Sequence, residues 1–209
     1  MLLIDFLSRW AHVLFGVTWI GLLYYFNFIQ GSYFAEATAD AKADATQKLA
    51  PRALWWFRWG AMGTFLTGLY LLAILGAGVN QYILLGALMG IFMFLNVWLI
   101  IWPNQKIVIG LSDGDKAAAG GKALLASRTN TLFSAPMLYG MLASKHGLVG
   151  GGFGSMDFAD KGFLIALAII VLLELNAIIG KTGIIASVKG VIHASLALTA
   201  VIFGVVHYL

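Results

Sequence analysis

Long apolar runs alternate with short polar stretches along this chain. Six runs have roughly the 20 residues that a helix needs to cross a hydrocarbon core. They cover 2–30, 53–76, 81–103, 123–144, 161–180 and 184–208. The segment 35–52 is rich in Ala with alternating Asp, Glu and Lys. It predicts a water-facing amphipathic helix ended by Pro51. Val79-Asn80 is a tight turn, and Trp102-Pro103-Asn104 closes the third run. Residues 104–122 form a second water-facing segment, turning at Ser112-Asp113-Gly114. The run Gly147 to Gly154 predicts a flexible Gly-rich connection, because it lacks the Gly-Lys-Ser/Thr ending of a phosphate-binding loop. The pattern predicts an all-α integral membrane protein: one domain over 1–209, a bundle of about six transmembrane helices.

Composition sharpens this. The chain is 61% hydrophobic and 11% charged, more apolar than a soluble domain of 209 residues needs. The first run places Asp5 before Arg9 and has no cleavage site after it, so it is expected to stay as a span rather than leave as a signal peptide. Cysteine is absent, which excludes disulfides, thiolate metal sites, iron–sulfur clusters and covalent c-type haem attachment. The net charge of +4 is spread over loops and points to no nucleic acid.

The basic residues set an orientation. Lys42, Lys48, Arg52, Arg58, Lys106, Lys116, Lys122, Arg128, Lys181 and Lys189 fall on one side, against Arg9, Lys145 and Lys161 on the other. The first side is therefore expected to be cytoplasmic, with both termini periplasmic and the protein multi-pass in a bacterial inner membrane. Trp55, Trp56, Trp59 and Trp102 cluster where a cytoplasmic aromatic belt belongs.

Candidate chemistry begins in the first run, at His12. An imidazole in hydrocarbon needs a partner. Gly16, one turn on, shares its face and leaves room for a flat ring such as haem b. The competing reading is a histidine bonded to a neighbouring carbonyl, with Gly16 serving close helix packing. His193 lies mid-span among Ala186, Gly190, Ala197, Ala200 and Gly204, either a packing stripe or a second haem ligand. His12 and His193 are the expected axial pair on the haem iron, and His146 is the reserve ligand. His146 and His207 lie near the outer surface, as interface residues or beside a cofactor. Arg128 is either a snorkelling cation or a ligand-binding group in a polar fourth run that also holds Thr129, Asn130, Thr131 and Ser134. Glu174, deeper, is paired, protonated or part of a proton path.

Three motifs carry a resemblance. Trp10-x-His12-x-x-x-Gly16-x-x-Trp19-Ile20-Gly21, then Trp102-Pro103-Asn104-Gln105-Lys106, then Ser127-Arg128-Thr129-Asn130-Thr131-x-x-Ser134-x-Pro136-Met137 resemble the membrane domain of bacterial membrane-bound urate hydroxylases, the urate oxidase N-terminal domain family. The resemblance implies a membrane enzyme that oxidises urate to 5-hydroxyisourate and passes electrons to a cytochrome c. A more distant likeness to haem-binding membrane protoporphyrinogen oxidases and copper-resistance membrane proteins agrees with haem b. With urate as the substrate, a planar anion, Arg128, Asn130 and Thr131 are the binding candidates. Family members usually continue into a c-type cytochrome, and no Cys-x-x-Cys-His follows here, so the expected electron partner is a separate cytochrome c or a respiratory complex. Two other functions stay open: a non-catalytic cytochrome b-like subunit of a larger assembly, and a cofactor-free transporter or structural protein. An oligomer is compatible with each.

Overall fold

The computed structural model describes residues 2–146 and 158–209, and the Gly-rich connection expected at Gly147 to Gly154 lies outside them. The described residues are helical, with no strand among them. Helix α1 (Leu2–Tyr24) winds through a π-helical stretch, Tyr25–Gln30, into α2 (Gly31–Glu36). After a break at Thr38, whose side chain caps Ala41 N, α3 (Ala39–Asp44) leads through a π-helical Ala45–Leu49 into α4 (Ala50–Leu75). Then come α5 (Gln81–Leu95), a π-helical Asn96–Ile101 and α6 (Trp102–Val108). The long α7 (Lys116–His146), α8 (Lys161–Ile179) and α9 (Val188–Tyr208) complete the bundle.

Two prolines do less than the sequence led us to expect. Pro51 does not end the amphipathic helix: Ala39–Leu75 is one continuous helix. Trp102-Pro103 likewise lies inside a continuous Gln81–Val108. In both places the turn just before the proline is π-helical, with Ala50 N bonding Ala45 O and Trp102 N bonding Val97 O. A ring with no N–H collides with the carbonyl four residues back in a regular α-helix. The wider π turn re-routes the ladder past that carbonyl.

Five helical runs are long and apolar enough to cross a membrane: Leu2–Glu36, Ala39–Leu75, Gln81–Val108, Lys161–Ile179 and Val188–Tyr208. Their outer faces carry Phe6, Val13, Val17, Leu172, Ile179 and Leu196, all exposed. Apolar surface on this scale is stable against lipid rather than water.

Helix α7 is different in kind. It packs against α1, α5, α6, α8 and α9 and is buried through its middle, where Arg128, Thr129, Asn130, Thr131 and Ser134 face protein. It crosses α5 closely: a Cβ at Gly140 would stand 2.7 Å from Tyr82 O. The core around it contains Trp19, Leu23, Phe57, Leu85, Met89, Met93, Phe133, Ile170 and Ile202.

Candidate functional site

The contact between α1 and α4 is built on small residues of α4. A Cβ at Gly60 would lie 3.2 Å from Trp19 N, and one at Gly63 would collide with the Phe15 ring. The next turn receives His12. Its Nδ1 lies 3.0 Å from Thr67 Oγ1, and a Cβ at Gly68 would stand 3.0 Å from its Cε1. The Thr67 hydroxyl donates to Gly63 O at 2.6 Å. A hydroxyl has one hydrogen and two lone pairs. Toward His12 it therefore accepts, which places the ring proton on Nδ1 and leaves the lone pair on Nε2. A histidine oriented in this way is prepared to bind a metal through Nε2.

His12 lines two adjoining cavities at the end of the bundle where α1 starts and α7 finishes. The smaller, about 70 Å³, is also bordered by Trp19, Thr64, Phe65 and Met137. The larger, about 350 Å³, is bordered by Arg9, Leu72, Met141, Lys145 and His146. Gly68, Leu72, Ala87 and Met141 are common to both. A Cβ at Gly16 would meet nothing within 4 Å, so the flank beside His12 is open.

Of the other histidines, the fold gathers His146 and not His193. His146 lines the larger cavity with His12, whereas no residue of α9 borders either cavity. The reason is helical phase. The inward face of α9 carries Val191, Ser195 and Ile202, and Ser195 donates to Leu132 O at 2.8 Å. His193, two residues after Val191, points the other way and is exposed with Ala197 and Ala200. His207 lines a separate cavity with Tyr82, Tyr139 and Phe203.

The buried polar residues of α7 divide into those that are hydrogen-bonded and one, Arg128, with unpartnered nitrogens. Asn130 donates to Met93 O and accepts from Asn96, and Asn96 also donates to Glu174 Oε2 at 3.1 Å. Thr131 donates to Ser127 O, Asn27 donates to Ser127 Oγ, and Tyr24 meets Ser134 at 2.9 Å. These bonds use both ends of the Asn130 amide and the Thr131 hydroxyl hydrogen. Arg128 is only 8% exposed, yet its Nε and Nη1 have no partner among the described residues. Glu174 is engaged by Asn96 and forms no ion pair with it. The sequence did not single out Thr67, Gly68 or the link between Asn96 and Asn130. The only sequence signal for the first two was a Gly60, Gly63, Thr67, Gly68 stripe at helical spacing.

The site thus belongs to a helical bundle of membrane type, with a histidine-lined cavity at one end and a buried polar seam through its centre. The model of the urate oxidase N-terminal family matches residues 75–178, and the chain belongs to that family. The matched stretch contains Arg128, Asn130, His146 and Glu174. No curated protein and no solved structure matches the chain.

Proposed function

We propose that this protein is a haem-bearing membrane oxidoreductase of the urate-oxidising type. The observation that carries the reading is His12, held at Nδ1 by the Thr67 hydroxyl, at a cavity that His146 also lines. The residues fit a haem b. His12 and His146 would hold the iron, Arg9 and Lys145 would hold the two propionates, and Leu71, Leu72 and Met141 would cover the ring and exclude water. Bound there, the group would supply a one-electron change at a potential set by its axial ligands. Among the described residues, no three His, Cys, Asp or Glu side chains form a cluster for a free metal ion.

In this reading α7 is the sixth span, made polar because protein rather than lipid surrounds it. Both termini are periplasmic, and electrons leave to a separate cytochrome c or respiratory complex at that face. Urate is the substrate, and Arg128 is its anchoring cation. Glu174, engaged by Asn96, is the candidate for a proton path through the seam. A second reading, a non-catalytic cytochrome b-like subunit, is favoured by one observation: Asn130 and Thr131 bond within the protein, leaving Arg128 as the uncommitted substrate candidate of the three.

A reduced-minus-oxidised absorption spectrum of the purified protein tests the haem. A Soret and α-band change is expected, and a featureless difference spectrum rejects both readings. Urate-dependent reduction of cytochrome c then separates the enzyme from the subunit.

A further inference from the structure

At the opposite end of the bundle from His12, two cations share one indole. Arg58 Cζ lies 3.2 Å from the centroid of the Trp102 ring, and Lys106 Nζ lies 5.9 Å from it. Two like charges around one ring make its neighbourhood favourable for an anion. Neither side chain forms a hydrogen bond or ion pair with any described residue, and Arg58 Nε is buried without a partner. Stacking on the indole fixes the guanidinium plane but leaves its N–H edge to be satisfied.

The surroundings are those of a membrane interface. Trp55, Trp56 and Trp59 are exposed beside this pair, Trp59 meets Trp98 edge-on, and Arg52 is exposed one and a half turns earlier on α4. Exposed indoles beside cationic side chains on a membrane-spanning helix seat themselves at headgroup depth. A phosphodiester there has two free oxygens for a guanidinium fork and a full charge for the ammonium. Its glycerol and acyl groups would lie along the tryptophans.

We propose that Arg58, Lys106 and Trp102 form a binding site for the phosphate of an anionic phospholipid, at the membrane face carrying most of the basic residues. The site is independent of the haem cavity, and the loss of one does not imply the loss of the other.

The test compares full-length protein in nanodiscs of phosphatidylcholine alone with nanodiscs that also contain phosphatidylglycerol, following thermal unfolding. Phosphatidylglycerol should raise the Tm of the wild type, since a ligand of the folded state stabilises it. The double variant Arg58→Gln/Lys106→Gln should lose the rise. Arg58→Lys should keep part of it, and Lys48→Gln, whose lysine pairs with Asp44, should keep all of it. An undiminished rise in the double variant overturns the site. An equal rise from inorganic phosphate in phosphatidylcholine discs overturns the lipid as its ligand. If the double variant fails to fold, mass spectrometry of lipids carried by the wild type in polymer nanodiscs decides. Anionic lipid enriched over the bulk membrane supports the site, and bulk composition rejects it.

Discussion

His12 Nδ1 and Thr67 Oγ1 lie 55 residues apart in the chain and 3.0 Å apart across the contact of α1 with α4. The direction of that bond is set from elsewhere. Thr67 has already given its hydrogen to Gly63 O, one turn back on its own helix. A backbone carbonyl of α4 thus decides, through one hydroxyl, which nitrogen of His12 is free. Partners of this kind orient metal-binding histidines and raise their basicity.

Thr67→Val keeps the shape of the side chain and removes the acceptor. The imidazole is then free to take either tautomer, and haem affinity should fall by about 10- to 100-fold. Thr67→Ser should restore it. Titration of apo-protein with haem measures both, and equal affinity in Val and Thr would remove Thr67 from the site.

Gly68 supplies room for the same ring. A methyl group there would sit 3.0 Å from His12 Cε1, closer than van der Waals contact allows. Gly68→Ala should therefore tilt the imidazole, shifting the haem absorption bands while the fold, read by circular dichroism, stays intact. Unchanged bands would show that the ring has slack.

The central seam makes a separate prediction about stability. Glu174 Oε2 receives one hydrogen of the Asn96 amide, and Asn130 Oδ1 receives the other. Glu174→Gln keeps a carbonyl acceptor and should change stability little. Glu174→Leu leaves a buried N–H unmatched and should cost about 1–3 kcal/mol. Unfolding midpoints of the two variants in detergent check this. If Leu proves as stable as Gln, Asn96 has found another acceptor.

What the sequence made legible depends on how local the cause was. The apolar runs are local patterns, and the five apolar helices agree with them, whereas Gly16 borders neither of the cavities that His12 lines. The choice between His146 and His193 is not local. Both sit near small residues, and only the angular position of α9 against α7, set by Val191 and Ser195, turns His193 outward. The continuity of both helices through Pro51 and Pro103 is not local either, because a π turn depends on backbone bonding that side-chain type does not announce. Asn96 and Asn130 were each identifiable as polar residues in a hydrophobic run, but their pairing across 34 residues is a product of the fold.

Arg128 carries the substrate side of the proposal. A guanidinium with two buried, unpartnered nitrogens gains from any anion that reaches it. Arg128→Lys keeps the charge and loses the planar fork, so urate binding should weaken while haem content stays unchanged. Equilibrium urate binding and haem per protein, measured on one preparation, separate the outcomes. Parallel loss of both would make Arg128 a structural residue.

The histidines give the most direct test of the cavity. His12 and His146 border the same 350 Å³ space, while His193 is exposed on a helix that borders neither cavity beside His12. An axial ligand must reach the iron, so position in the fold outranks depth in the membrane. His12→Ala should abolish haem binding, because Thr67 would then orient nothing. His146→Ala should leave a weakly held haem with one protein ligand and an altered spectrum. His193→Ala and His207→Ala should retain full haem. Haem per protein in the four single variants, purified in the same detergent, is the measurement. Full occupancy in His12→Ala would end the assignment at its starting residue. Loss in His193→Ala with retention in His146→Ala would instead put the second ligand on α9, which requires that helix to turn from the orientation fixed by Val191 and Ser195.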